Sequence, residues 1–296
     1  MRFEDALSLA GLLAHDVKPD GRIHRCPTEA YPHQRRGWWA LHGDHGVWGD
    51  WSSGSGEALG TWHDENAHPV ERSMAQLEEN RRQRERDRAW LVKSIAGARQ
   101  FWNAARPLRN GHPYLDAKGL SAVGCAGLRV ANGMLVAPVI SGGVISVQTI
   151  AADGAKRFWT GAPVKGGVYI IERPGSALTA VCEGLATGLA IAQSIKLARV
   201  VVAFNAGNLT HALQRLRPSG AVVVVADNDH KTAARIGSNP GIEFAKRAAE
   251  LSGAGIIWPT GIEGSDIADY LKETGDGAHK RVERMILGAA KYVRPP

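Results

Sequence analysis

Four short runs of apolar residues, each ended by polar or glycine residues, stand out in the second half of the chain. They cover residues 178–182, 200–204, 222–226 and 255–258. Runs of this length without alternating polar positions are typical of inner strands in a parallel sheet that helices cover on both faces. The pattern therefore predicts an α/β fold with a parallel sheet in this half of the chain.

Acidic residues follow two of these runs directly. Glu183 ends the first run, and Asp227 and Asp229 end the third. Open α/β sheets bind ligands beyond the carboxyl ends of their strands, so these carboxylates are expected to meet there. They would repel one another without a cation, and oxygen ligands suit Mg²⁺ or Mn²⁺. The alternative is that they cap helices or end strands without binding a metal.

A different pattern precedes the parallel sheet. Residues 133–140 and 144–150 are apolar-rich and are joined by a Ser-Gly-Gly turn, which predicts a β-hairpin. A short strand at 155–160 follows and carries two adjacent cations, Lys156 and Arg157. Upstream, residues 69–105 are predicted to be helical, and the alternating charges of residues 78–88 indicate a solvated connector.

The organisation along the chain predicts five regions. The first is a small β module at 1–66, which holds five of the nine tryptophans. A helical connector at 67–104, a mixed α+β lobe at 105–174, the parallel-sheet domain at 175–262 and an acidic loop with a helix at 263–296 complete the chain.

Composition narrows the class of protein. No apolar run approaches the roughly 20 residues that span a bilayer, and we expect neither a secretory signal nor a membrane partner. Three scattered cysteines do not form a disulfide framework, so we expect a cytoplasmic protein of a bacterial cell or a phage-infected host. The formal charge of +7 favours an anionic partner. Beside a carboxylate site, it indicates nucleic acid or nucleotides.

The acidic motifs resemble those of the Toprim domain, the metal-binding module of bacterial-type primases, topoisomerases and some nucleases. That family has a strand ending in Glu-Gly, here Glu183-Gly184, and a strand ending in Asp-x-Asp, here Asp227-Asn-Asp229. A strand and glycine turn lie between them at residues 200–208, and an acidic stretch follows at 264–270.

The chain from about 105 to 275 also resembles the catalytic core of DnaG-type primases, especially the compact forms of phages and conjugative plasmids. Those proteins have a Tyr-Leu…Lys/Arg-Gly-Leu helix-turn, here residues 114–120, then a hairpin, a basic turn and the Toprim Glu-Gly step. This resemblance implies a Toprim sheet joined to a mixed α+β primase lobe.

The resemblance also implies roles for individual residues. Glu183, Asp227 and Asp229 would be catalytic metal ligands for Mg²⁺ or Mn²⁺, with Asp266 or Asp269 as an outer ligand. Lys156, as a catalytic residue, and Arg157 would contact the template or the nucleoside triphosphate. Further members of the basic surface, each equally well explained as a solvated cation, are Arg109, Lys118, Arg129 and Lys165. Gly184, Asn205 and Gly207 would shape the site.

The N-terminal module is similar to part of the zinc-binding module that begins bacterial primases. His24 and Cys26 match half of such a site, but no second cysteine pair follows, so no zinc is expected. The tryptophans are predicted mostly to pack in the core, with one or two exposed to stack on template bases. The candidate strand-binding residues of this module are Arg25, Arg35, Arg36, Trp38 and Trp39.

These features favour a DNA-dependent RNA primase, a nucleotidyltransferase that makes short RNA primers on single-stranded DNA in phage or mobile-element replication. Its partners would be the DNA template, ribonucleoside triphosphates and, as a candidate, a separate replicative helicase, since the chain has no Walker-type loop. Two alternatives stay open. A Toprim nuclease would have the same metal site, and a non-catalytic single-strand-binding protein would keep the basic and aromatic surface without needing the acids.

Overall fold

The computed structural model describes residues 1–51, 58–64, 74–121 and 127–294. The chain divides into two compact units, Met1–Gln83 and Arg84–Pro296, and the division falls inside one long helix. The predicted boundary between residues 66 and 67 lies outside the described residues. No helix of the described ranges is long and apolar enough to cross a membrane.

The first unit holds helix α1 (Phe3–Leu9) and a four-stranded antiparallel sheet in the order β1-β2-β3-β4. Its strands are β1 (His24–Cys26), β2 (Gly37–His42), β3 (His45–Asp50) and β4 (Ala58–His63). Phe3 and Leu7 of α1 pack with Trp39 of β2 in a small core. The predicted Trp-rich β module is therefore present.

Helix α2 spans Met74–Ala104, inside the segment 67–104 that was predicted to be a helical connector. After α2, the second unit contains a five-stranded antiparallel sheet in the order β5-β6-β7-β8-β9. Its strands are β5 (Arg106–Pro107), β6 (Arg129–Ala131), β7 (Met134–Ile140), β8 (Val144–Ile150) and β9 (Lys156–Phe158), and helix α3 (Pro113–Ala117) lies between β5 and β6. β7 and β8 form the predicted hairpin.

The second sheet of this unit has the strand order β10-β12-β11-β13-β14, with β15 also paired to β13. Its strands are β10 (Tyr169–Ile171), β11 (Leu178–Cys182), β12 (Ala198–Val202), β13 (Gly220–Val225), β14 (Gly255–Ile257) and β15 (Lys291–Val293). β11 to β14 are parallel, as the apolar runs predicted, and β10 and β15 are antiparallel.

Helices cover both faces of the parallel sheet. The helices of this part of the chain are α4 (Leu185–Ser194), α5 (Leu209–Leu216), α6 (His230–Ile236), α7 (Pro240–Ser252), α8 (Ile267–Thr274) and α9 (Ala278–Ala289), and α6 has no buried residue. One core joins α4, α8 and α9 to the hairpin lobe, and a second core packs α5 and α7 on the opposite face. The helix predicted within residues 263–296 does not reach the end of that segment, because residues 291–293 pair with β13 as a strand.

Candidate active site

The order of the parallel strands creates a crevice at their carboxyl ends. From the central strand β11 the chain moves to β12 on one side and then to β13 on the other. Where the strand order reverses in this way, the loops that follow the neighbouring strands run in opposite directions and leave a crevice between them. Open α/β sheets bind their ligands in this crevice. Cys182 is paired with Val225, so Glu183 and Asp227 leave neighbouring strands side by side at this point.

The surroundings of Asp227 compensate little of the negative charge of its carboxylate. Burial, followed by repulsion from Glu183 and Asp266, raises the pKa of Asp227 to about 8. One neutral donor opposes this shift, since the hydroxyl of Thr187 donates to Oδ1 of Asp227 at 3.0 Å. Thr187 lies on α4 and is only 1% exposed. The sequence held a signal for it, a polar residue in the otherwise apolar first turns of α4, four positions after Glu183.

Glu183 has a similar environment. Burial, followed by repulsion from Asp229, raises its pKa, while a hydrogen bond from the backbone N–H of Ala206 and the positive charge of Lys156 lower it. Lys156 lies on β9 of the hairpin lobe. The sheet of that lobe therefore delivers a cation toward the acids of the parallel sheet.

The turn that carries Asp227 and Asp229 is built by polar side chains and a close backbone approach. Oδ1 of Asn239 accepts from the backbone N–H of Asp229 at 3.2 Å, and its amide donates to Asn228 at 2.9 Å. The N–H of Gly241 donates to Oδ2 of Asp229 at 3.1 Å. A Cβ on Gly241 would lie 2.4 Å from the carbonyl oxygen of Asp227, so a side chain there would push the turn away.

Asp266 and Asp269, predicted as outer metal ligands, both accept from the same ammonium group. Nζ of Lys118 lies 2.9 Å from Oδ2 of Asp266 and 2.6 Å from Oδ1 of Asp269. Asp266 also caps α8 by accepting from the backbone N–H of Asp269 at 2.8 Å. The structure thus gives Lys118, predicted to contact nucleic acid or nucleotide, an intramolecular ion pair instead.

The other predicted cations of the hairpin lobe divide into two groups. Lys156, Arg157, Lys165 and Arg109 are exposed. Arg129 is not a free cation, because its guanidinium stacks 4.3 Å from the centre of the Trp102 ring and donates to the Trp102 carbonyl oxygen at 2.6 Å. Its observed contacts hold the end of α2 against β6, which corrects the prediction that it faces nucleic acid.

The loop after β12 depends on a residue that the sequence analysis missed. Asn205 caps the 3-10 turn Ala206–Asn208, which includes Gly207, by accepting from the N–H of Asn208 at 3.0 Å. The side chain of Asn208 is 3% exposed and donates to the carbonyl oxygens of Gly167 and Ala203, each at 2.8 Å. Asn208 therefore fixes the segment that donates to Glu183. The only sequence signal was a second asparagine in the turn.

Gly184 lies against the acids without a steric need for glycine. A Cβ there would be 3.7 Å from Oδ2 of Asp227 and from the hydroxyl of Thr187, which is ordinary contact. Its φ of −93° is accessible to other residues. Its part in shaping the site stays a prediction.

In the N-terminal unit, the candidate stacking residues Trp38 and Trp39 are buried, at 7% and 2% exposure. Neighbouring residues of a strand point to opposite faces, and both faces of β2 are covered at this point. The prediction that these two rings stack on bases is therefore wrong for this arrangement. Trp51 is 45% exposed instead, and the Arg25 guanidinium lies 5.6 Å from its ring centre.

The remaining arginines of this unit differ. Arg35 is exposed, whereas Arg36 is half-buried, donates to Gln34 at 2.8 Å and lies 4.2 Å from the Tyr31 ring centre. His24 is occupied as well, since its Nε2 lies 2.9 Å from Asp20 and its ring stacks on Trp39.

The donor chemistry of the crevice fits a hard divalent cation. Glu183, Asp227 and Asp229 provide only oxygen ligands, and the raised pKa values of Glu183 and Asp227 show that their negative charge is under-compensated. Within the described ranges, no three His, Cys, Asp or Glu side chains stand close enough together, as placed, to hold a metal ion. Side-chain movements would be needed for these three acids to share one.

Comparison with known proteins agrees with the motifs. Residues 178–277 match the model of the Toprim domain. The chain is 28% identical to the DNA primase TraC of Escherichia coli over 219 residues, which is 70% of this chain and 15% of that protein. It thus spans a small part of the curated relative's length.

Among solved structures, the primase fragment of the bacteriophage T7 primase-helicase protein matches with 15% identity and a TM-score of 0.42, covering 62% of this chain and 79% of that one. The Aquifex aeolicus primase (zinc-binding and RNA polymerase domains) matches with 14% identity and a TM-score of 0.39, covering 98% and 83%. Residues 178–277 of the chain therefore match the Toprim domain, and the chain is similar in sequence to a DNA primase.

Proposed function

We propose that this chain is a DNA-dependent RNA primase that makes short RNA primers on single-stranded DNA by metal-dependent nucleotidyl transfer. The observation that carries the proposal is the meeting of under-compensated acids at the strand ends with the cation of Lys156. Similarity to a DNA primase over 70% of the chain, which extends beyond the Toprim match at 178–277, supports it.

The reaction joins two ribonucleotides on a template. A 3′ oxygen attacks the α-phosphorus of the incoming triphosphate, its proton is lost, and the bond to the pyrophosphate leaving group breaks. Little covalent work falls to the protein, so positioning and charge neutralisation account for the catalysis. Glu183, Asp227 and Asp229 would hold Mg²⁺ or Mn²⁺. A bound divalent ion neutralises phosphate charge and stabilises the attacking and leaving oxygens.

Protein side chains have complementary tasks. The backbone N–H of Ala206 and the hydroxyl of Thr187 orient Glu183 and Asp227, respectively. Lys156 and Arg157 are exposed neighbours on β9 and would bind the triphosphate or the template phosphates. Lys165 and Arg109 are also exposed and would add to this basic surface.

The N-terminal unit would bind the template. Arg25 with the exposed Trp51, together with Arg35, offers cations beside an aromatic face, the combination that single-stranded nucleic acid binds. A separate replicative helicase would deliver unwound DNA. Phage or mobile-element replication is the proposed setting.

One assay separates this proposal from its alternatives. The purified chain is given a single-stranded DNA template, labelled ribonucleotides and Mg²⁺ or Mn²⁺. New alkali-sensitive oligonucleotides that depend on the template support a primase. Shortening of a labelled strand supports a Toprim nuclease and contradicts the proposal, and a mobility shift without product supports a non-catalytic binding protein.

A further inference from the structure

The acidic end of the crevice contains a cation that belongs to the protein. Lys118 follows α3 in the hairpin lobe, and its Nζ lies 2.9 Å from Asp266 and 2.6 Å from Asp269 at the start of α8. All three side chains are largely shielded from water, with exposures of 26%, 14% and 23%. An ion pair that is so shielded and bridges two carboxylates is more persistent than an exposed surface pair.

A second contact holds this arrangement in place. Nζ of Lys272 on α8 donates to the carbonyl oxygen of Ala117 at 3.0 Å, so α3 and α8 are tied by two lysines that point in opposite directions. Lys118 is therefore held near the acids by the packing of the two elements. Burial opposes its charge, but the hydrogen bonds to Asp269 and Asp266 outweigh burial and raise the pKa of Lys118.

Asp266 is also electrostatically coupled to Asp227. The pair Asp266/Asp269 thus belongs to the same acidic crevice as the proposed metal ligands, yet its carboxylates already share a full positive charge. A divalent ion at this pair would have to displace the ammonium group of Lys118 and break the contacts at 2.9 and 2.6 Å.

We propose that Lys118 is a built-in cation that takes the place of a second metal ion at Asp266 and Asp269. The protein then takes up one exchangeable divalent ion, at Glu183, Asp227 and Asp229. Asp266 and Asp269 position Lys118 and do not ligate metal. This inference rests on the metal site of the proposed function, but not on primer synthesis itself.

The number of bound ions tests it. The full chain is titrated with Mn²⁺ alone, and free Mn²⁺ is followed by electron paramagnetic resonance. Wild type is expected to bind one ion tightly, and Lys118→Met two, because the vacated carboxylates then attract a second ion. Lys272→Met is the matched control, since it breaks the other tie between α3 and α8 but leaves the acids paired; it should bind one ion.

A wild-type stoichiometry of two overturns the inference, as does a folded Lys118→Met protein that still binds one ion. Lys118→Met leaves two shielded acids without their cation and can fail to fold. Asp269→Asn therefore gives an independent arm: it should bind one ion with affinity within twofold of wild type, and a tenfold loss shows that Asp269 is a ligand after all.

A failure of the proposed function is distinguishable from a failure of this inference. The titration contains no nucleic acid and no nucleotide, so a chain that binds a single ion but makes no primers loses the proposed function and keeps this inference. Asp227→Asn should abolish tight Mn²⁺ binding. If it retains the ion, the exchangeable site lies elsewhere, and the inference falls even when primers are made.

Discussion

Thr187 donates its hydroxyl to Asp227 at 3.0 Å, and this bond joins the helix after one central strand to the acid after its neighbour. Because Thr187 is buried, the donor cannot be replaced by water without rearrangement. The bond favours the ionised form of Asp227 against burial and against repulsion from Glu183. The bond therefore helps to keep Asp227 ionised, although the protein compensates little of its negative charge otherwise.

Removing that donor should weaken ion binding. Thr187→Val keeps the shape of the side chain but leaves Asp227 with a still higher pKa. Removing a hydrogen-bond partner that orients a metal ligand typically weakens metal binding about 10–100-fold. We therefore expect Thr187→Val to bind Mn²⁺ about tenfold more weakly than wild type. Thr187→Ser, which retains a hydroxyl, should stay near wild type in the same titration. Equal affinities for Thr187→Val and wild type would show that the hydrogen bond does not tune the site.

The raised pKa of Asp227 makes stability depend on pH when no metal is present. In the unfolded chain this group ionises near its ordinary value of 3.8, whereas in the folded protein its pKa is about 8. Between these values unfolding releases a proton, so the stability contributed by the protonated group is complete below pH 3.8 and is lost as pH rises through about 8.

Asp227→Asn should remove this dependence. At pH 8, with a chelator present, the free energy of unfolding of the variant should exceed that of wild type by an amount on the order of 1–3 kcal/mol. Each kcal/mol should raise the melting temperature by about 2–4 °C. At pH 5 the difference should shrink. Asp276→Asn, at an exposed position, is the control and should not change the melting temperature. A destabilised Asp227→Asn protein at pH 8 would contradict the assigned charge imbalance.

Asn208 should be a major source of stability for the site loop. Its buried amide group donates to two carbonyl oxygens at 2.8 Å and its oxygen accepts from the N–H of Gly166 at 2.6 Å. Asn208→Leu leaves these buried groups unpaired, and we expect a loss of about 2–4 kcal/mol in urea unfolding. Asn110→Ala, at an exposed asparagine, should change the unfolding free energy by less than about 0.5 kcal/mol.

Lys156 should act on binding and synthesis without affecting the fold. Lys156→Ala removes an exposed cation, so the thermal melt should stay unchanged while primer synthesis falls at least tenfold. If Lys156 contacts phosphate, template binding by the variant should also depend less on salt. The slope of the logarithm of the binding constant against the logarithm of salt concentration should fall in magnitude by about 1. Lys196→Ala is the matched control, because Lys196 is exposed between α4 and β12, before the amino end of β12 and so away from the carboxyl ends of the parallel strands. Normal synthesis by Lys156→Ala would remove this residue from the proposed site.

The sequence predicted the parallel sheet and the position of its acids because both depend on local patterns. Apolar runs specify buried strands, and Glu183 and Asp227 follow them directly. The pairing of Lys118 with Asp266 and Asp269 could not be predicted in this way, because it joins positions about 150 apart in the chain. The same holds for the contacts of Asn208 with Gly166 and Gly167, which lie 42 and 41 positions earlier in the chain.

The tryptophans show a second limit. A Trp-Trp step in a strand necessarily points one ring to each face, but the sequence does not say which faces are covered. The ring centre of Phe3 in α1 lies 6.2 Å from that of Trp39, and the ring centre of Trp51 lies 6.4 Å from that of Trp38. Residues from other parts of the chain therefore cover both Trp38 and Trp39. Among the five tryptophans of the N-terminal unit the exposed ring is that of Trp51, which was not among the candidate strand-binding residues.

The central claim is that Glu183, Asp227 and Asp229 converge on a shared divalent ion. The most direct measurement is an anomalous difference map from a crystal of the wild-type protein soaked in Mn²⁺. We predict a peak beyond the ends of β11 and β13, with carboxylate oxygens of Glu183 and Asp227 at coordination distance, about 2.0–2.3 Å. Saturating Mn²⁺ with no peak between these side chains, or with the ion bound elsewhere, would contradict the account.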